Sequence, residues 1–165
     1  MASNKEEQKQ HQWLQQLVGQ WTYESEAKMG PDKPAEKFKG TETIRTLGGL
    51  WMIAESQGEM PGGGTAQMVI TLGFDPAKGR FVGTFIGSMM TYLWVYDGEL
   101  DAAGKTLTLS AEGPDMSPGA KPGKMVQYRD VIEIVSKDHH ILRSLGQSED
   151  GSWVQFMEAH YRRKT

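Results

Sequence analysis

From Trp21 onward, hydrophobic and polar side chains alternate at nearly every second position. That period puts successive side chains on opposite faces of a strand. In the first segment Trp21, Tyr23, Ser25, Ala27 and Met29 share one face, Thr22, Glu24, Glu26 and Lys28 the other, and Gly30-Pro31-Asp32 ends it. In the second, Phe38, Gly40, Glu42 and Ile44 point inward while Lys37, Lys39, Thr41, Thr43 and Arg45 point to water. Gly48-Gly49 turns into a third strand at 50–58, followed by the loop Pro61-Gly62-Gly63-Gly64. The fourth strand, 65–74, carries Met68, Ile70, Leu72 and Phe74 on one face, and Asp75-Pro76-Ala77-Lys78-Gly79 has hairpin-turn composition. Further strands are expected at 80–88, 90–96, 106–112 (Leu107, Leu109 and Ala111 inward), 124–135, 141–147 and 153–163. The connections are Asp97-Gly98 with 101–104, the Pro- and Gly-rich 113–123, Lys137-Asp138, and Glu149-Asp150-Gly151.

Only residues 5–18 break this period. There Trp13, Leu14, Leu17 and Val18 form a helical stripe, and Gly19 fits a helix stop. One short N-terminal helix and about ten strands at hairpin spacing predict an all-β fold: a closed antiparallel meander barrel over roughly 20–163, within one domain covering 1–165. A long meander closes because open edges invite aggregation. Eight to ten strands leave an interior that is filled by side chains or wide enough for one small ligand.

Several short motifs punctuate the meander in a fixed order. They are Leu17-Val18-Gly19-Gln20-Trp21, Leu47-Gly48-Gly49-Leu50-Trp51, Leu72-Gly73-Phe74-Asp75, Gly98-Glu99-Leu100-Asp101 and Glu158-Ala159-His160-Tyr161-Arg162-Arg163. From about residue 10 onward this order resembles an uncharacterised bacterial family of lipocalin-like, calycin-type β-barrel domains of unknown function. The resemblance implies the barrel and no established activity. It also implies that Trp21, as the Gly-x-Trp tryptophan, plugs the closed end and packs against Arg162 or Arg163 of the last strand by a cation–π contact.

Composition narrows the function classes. The chain has 165 residues, 38% of them hydrophobic, enough for a core. No apolar run approaches the roughly 18 residues of a membrane span, and residues 1–12 are too polar for a secretory signal. Eighteen basic and 21 acidic residues are interspersed, for a net charge of −3, so neither nucleic acid nor membrane is expected as a partner. The absence of cysteine removes disulfides, thiolate metal sites and cysteine nucleophiles, and a cytoplasmic location is the simplest expectation. Ten methionines supply flexible apolar filling.

Candidate chemistry lies in inward charge. Alternation places Glu42 with Phe38 and Ile44, Arg129 on a face with Val131, and Glu158 and His160 with Val154 and Phe156. A buried charge must be paired, hydrogen-bonded or neutralised. Either these groups converge on a lumen and orient a polar head, or they form internal ion pairs. The last strand is ambiguous, because Trp153, Met157, Ala159 and Tyr161 on its other face are equally apolar. The leading expectation is binding of a small, largely apolar molecule, with Phe38, Met52, Met68, Ile70 and Phe85 as wall and Glu42, Arg129, Glu158 and His160 as polar contacts. The alternatives are an enzyme in the same lumen, with His160 or Glu158 as base and Arg129 steadying an anion, and a homodimeric interaction module with a filled barrel.

His160 also admits a haem reading, since nitrobindin-type barrels use a late-strand histidine. A lone strand histidine reads first as an ordinary surface or core residue, so no cofactor is expected. His139-His140 reads as an exposed turn, its side chains on opposite faces and ill-suited to share a metal, and His11 reads as surface. No Gly-x-Ser-x-Gly elbow or His-Glu-x-x-His occurs, residues 61–64 lack the lysine of a phosphate loop, and Ser88, Ser110 and Ser144 have no evident base, so no metal or catalytic residue is assigned. Tyr92, Trp94 and Tyr96 share one face. They form a stacking wall if it points in, or with Trp51 an exposed dimerisation patch if it points out.

Overall fold

The computed structural model of the protein describes residues 5–28, 32–60 and 62–165. Met29, Gly30, Pro31 and Pro61, assigned above to a strand end and a loop, lie outside the described residues. Helix α1 (Lys5–Gln15) precedes ten strands: β1 (Gly19–Ala27), β2 (Glu36–Leu47), β3 (Trp51–Glu59), β4 (Thr65–Asp75), β5 (Arg80–Gly87), β6 (Trp94–Leu100), β7 (Thr106–Pro114), β8 (Met125–Ser136), β9 (His139–Gln147) and β10 (Trp153–Arg163). Each strand pairs antiparallel with the next, and β10 returns to β1 to close the barrel.

The period-two pattern sets the register. On β1 Trp21 and Tyr23 are buried, on β2 Glu42 and Ile44, on β3 Met52 and Ala54, and on β7 Leu107, Leu109 and Ala111. Each set occupies alternate positions on one face, as a strand with one wet side requires.

Helix α1, with Trp13 and Leu14, and the turn that follows it, with Leu17, cap one end, and all three side chains are buried. The Trp13 indole N–H donates to the Gly104 carbonyl at 2.7 Å, and its ring meets Phe81 edge-on. Trp21 forms the floor beside the helix, 1% exposed, with its indole N–H donating to the Leu17 carbonyl at 2.9 Å. Arg163, not Arg162, supplies the cation, with its guanidinium carbon 4.3 Å from the centre of the Trp21 ring. The same guanidinium donates to the carbonyls of Val18 (2.8 Å), Gln16 (3.2 Å) and Lys137 (3.0 Å), and to the Asp138 carboxylate (3.1 Å). The helix therefore stops at Gln15 rather than at 18, because the carbonyls of residues 16–18 serve Arg163 and Trp21 instead of a further turn. Gly19 makes this possible. Its φ is +145°, and a Cβ there would lie 2.3 Å from an Arg163 nitrogen.

Two boundaries differ from the sequence expectation. Strand β6 starts at Trp94 and runs through Asp97-Gly98, which had read as a turn. Gly98 pairs with Phe81, and a Cβ there would meet Phe81 at 2.9 Å and Leu109 at 2.8 Å. This glycine answers close packing inside the barrel, not a bend. Strand β9 starts at His139, because Lys137-Asp138 alone makes the turn and a register shift near Val135 pairs Ser136 with His139.

Antiparallel order sorts the connections. Links 48–50, 76–79, 101–105 and 137–138 lie at the helix end, whereas 88–93, 115–124 and 148–152 lie at the opposite, open end. Among the described residues no helix is long and apolar enough to cross a membrane.

Candidate functional site

The lumen narrows onto a small polar cluster above the Trp21 floor. Glu42 projects inward from β2 with only 7% of its surface exposed. Among the described residues no hydrogen bond reaches its carboxyl group, and burial alone pushes its pKa from 4.5 up to about 7. Asp130 projects inward from β8 and accepts hydrogen bonds from the hydroxyls of Ser144 on β9, at 2.6 Å, and Tyr96 on β6. Burial raises its pKa, while these two bonds pull it back. His140 projects inward from β9, 4% exposed. Its ring stacks on Tyr161 at 4.8 Å and stands edge-on to Trp21 at 4.4 Å. Its Nδ1 is buried without a hydrogen-bond partner. Burial, helped by the charges of His139 and Arg163, holds its pKa down at about 3, so the ring is neutral.

These groups surround a cavity of about 30 Å³, lined also by Leu17, Ile44, Met52, Ala54, Ile70, Leu109, Ile132, Leu142 and Tyr161. That space holds one small group and no more. A separate cleft of about 210 Å³ lies between the end of α1 and the β8–β9 turn, and Leu17 and His140 border both spaces. Toward the open end the lumen is apolar. Tyr92, Trp94, Tyr128 and Phe156 make a chain of edge-on ring contacts at 5.1, 5.1 and 6.3 Å. Ile70, Phe85 and Met90 pack beside it against the core.

The sequence-predicted residues divide between the two faces. Glu42, Phe38, Met52, Met68 and Phe85 take the inward register, with Met52 and Glu42 at the cavity and the partly exposed Phe38 and Met68 nearer the open end. Arg129, Glu158 and His160 do not reach the lumen, which corrects their expected inward orientation. On β8 the inward positions are Tyr128, Asp130, Ile132 and Ile134, so Arg129 lies outside with its guanidinium 3.9 Å from the Trp153 ring centre. On β10 a bulge between Gln155 and Met157 shifts the register, so Ala159 and Tyr161 turn inward and Glu158 and His160 outward.

Outside, Arg143 bridges Glu133 at 2.6 Å and Glu158 at 2.8 Å. His160 stacks on His139, with ring nitrogens 2.9 Å apart, and its other nitrogen lies 3.3 Å from Glu158. The general-base role considered for His160 requires a lumen position that it does not have. His140, read as an exposed turn residue, is instead part of the floor. Trp94 and Tyr96 face in, leaving Leu93 and Val95 on the outer surface, so the strand-six aromatics do not make an exterior patch. The sequence reading missed Asp130, His140, Ser144 and Tyr161 as site residues. The even-numbered apolar pattern Ile132-Ile134 was the available signal for Asp130.

A family model described as "Protein of unknown function (DUF1579)" matches residues 6–163. No curated protein matches the chain. Among solved structures, the chain is similar to Rv2717c from M. tuberculosis, with a TM-score of 0.64, 15% identity, and coverage of 93% of this chain and 96% of that one. It is also similar to the S-type phycobiliprotein lyase CPES from Guillardia theta, with a TM-score of 0.58, 11% identity, and coverage of 99% of both chains. At these identities the likeness lies in the barrel fold.

Proposed function

Since the chain belongs to the DUF1579 family, whose description assigns no activity, we propose from the lumen itself that the protein binds a small, largely apolar molecule carrying one polar group. The observation that carries this reading is the polar foot of an apolar lumen: His140 Nδ1 is buried without a partner, and the buried Glu42, whose carboxyl group receives no hydrogen bond among the described residues, lines the same cavity. A buried polar group without a partner costs about 1–3 kcal/mol. A ligand whose polar group meets both would offset that cost.

The apolar part of the ligand would lie toward the open end, against Met68, Phe85, Phe38 and the aromatic chain. The 30 Å³ cavity admits the polar group alone, so the remainder displaces side chains. Met52, Met68 and Met90 are the pliable ones, since a thioether side chain repacks at little energetic cost.

Native mass spectrometry after gentle purification tests this. The expected result is a mass above that of the polypeptide, lost on denaturation. A bare polypeptide mass, together with no rise in melting temperature on adding medium-chain alcohols, amines or acids, overturns it.

A further inference from the structure

The lumen floor is chemically one-sided. Its ionisable lining residues are Glu42, Asp130, His140, Tyr96 and Tyr161, and among the described residues no lysine or arginine lines the cavity. Asp130 already receives two donors, from Tyr96 and Ser144. Glu42 receives none among the described residues. His140 offers a buried nitrogen with no partner. Accepting capacity thus exceeds what the protein's own donors fill.

Resting on the lumen-binding reading above, we propose that this floor receives the cationic head of its ligand, an alkylammonium group that donates to Glu42 and His140 with its apolar chain directed to the open end.

Three properties of the site favour a cation over an anion or a neutral head. Two carboxyl groups would repel a carboxylate or phosphate, and among the described residues no lysine or arginine in the cavity lining compensates. An ammonium is a compact point charge with three donors, suited to a space of about 30 Å³ among acceptors. His140 stays neutral, so it accepts a hydrogen bond without adding repulsion. Arg163, which also acts on His140, is held on the far side by its bonds to Gln16, Val18, Lys137 and Asp138.

Among the described residues, Tyr23 of β1 and Tyr161 of β10 interact electrostatically with Glu42, and Asp130 of β8, Tyr96 of β6 and the neutral His140 of β9 share the cavity lining with it. The tyrosines stay uncharged across the neutral range, so the pH response of cation binding belongs to Glu42 with Asp130 as neighbour. A bound cation favours the ionised carboxylate, so affinity for an amine rises as pH climbs through about 7 and then levels off.

The experiment is isothermal titration of the full chain with hexylamine, hexanol and hexanoate at about pH 6 and about pH 8. Hexylamine is expected to bind tighter than either other probe by about tenfold or more, with the larger advantage at the higher pH. Glu42→Gln should remove that advantage, and Asp130→Asn should reduce it. Glu55→Gln, which deletes an exposed outer-wall carboxylate paired with Arg45, should leave it intact. Equal binding of hexanol and hexylamine, or an amine preference that survives Glu42→Gln, overturns the cation assignment while leaving lumen binding in place. No binding of any probe overturns the lumen reading and the cation assignment together.

Discussion

Burial lifts the Glu42 carboxyl from 4.5 to about 7 and lowers the His140 imidazole from 6.5 to about 3. The two act on stability with opposite signs. Between about 4.5 and 7 the folded chain holds a Glu42 proton that the unfolded chain releases, so this contribution is full below 4.5 and lost as pH rises. Between about 3 and 6.5 the unfolded chain binds a His140 proton that the folded chain excludes, so stability rises with pH. In the overlap the slopes offset each other. Glu42→Gln should therefore expose the His140 slope and leave the protein more stable than wild type near neutral pH. The gain should be on the order of 2–3 kcal/mol, growing from acid toward neutral, as read by urea denaturation across that range. A pH-independent difference between the two proteins would contradict the assignment of the raised carboxyl to Glu42. Glu42 could be found in the sequence because Phe38, Gly40 and Ile44 flank it in unbroken alternation. His140 was hidden because its neighbour His139 faces out, and a two-residue turn, with the register shift before it, decides where the strand begins.

Strand β2 and strand β10 show why some elements are readable and others are not. One face of β2 is lysine and threonine, the other apolar, so the faces separate by composition. Both faces of β10 are apolar, and the bulge after Gln155 changes which positions face in partway along the strand. Extrapolating from Val154 and Phe156 therefore turns Glu158 and His160 the wrong way. Pairing decides such cases, and pairing is long-range information.

Another contact across the sheet has a local signature. Tyr23 on β1 lies over Gly40 of β2 and Gly58 of β3, which sit opposite it in register. A Cβ on Gly58 would fall 1.8 Å from the Tyr23 hydroxyl. Gly58→Ala should destabilise by about 1–3 kcal/mol, the usual range for overpacking. In the Tyr23→Phe background the same change should cost about 1 kcal/mol less, since the clashing oxygen is gone. A double-mutant cycle from urea melts measures this, and strict additivity would mean that the Tyr23 hydroxyl does not fill the space beside Gly58.

At the scale of the whole barrel, one end is bolted and the other is open. The bolt is Arg163, which joins the end of α1, the β8–β9 turn and Trp21 through four hydrogen bonds and a stacked cation. Arg163→Met keeps much of the side-chain volume and removes the donors. It should lower stability by about 2–4 kcal/mol, measured by urea denaturation, and a loss below about 0.5 kcal/mol would show the bolt to be ornamental. The plug was legible because it is built from residues adjacent to a recognisable Gly-x-Trp, and the barrel because a ten-strand meander has few other ways to protect its edges. The polar cluster was legible only in part, since its members come from β2, β6, β8, β9 and β10. The pairing of β1 with β10 also has a temporal consequence. Trp21 meets Arg163 in the register that closes the barrel, so a nascent polypeptide with β1 already paired to β2 keeps the other edge of β1, and the growing opposite edge, open until β10 has emerged. Closure joins the strands farthest apart in the meander, the kind of contact that slows folding, and it places the barrel's window for aggregation, and any need for a chaperone, in the interval before β10 emerges.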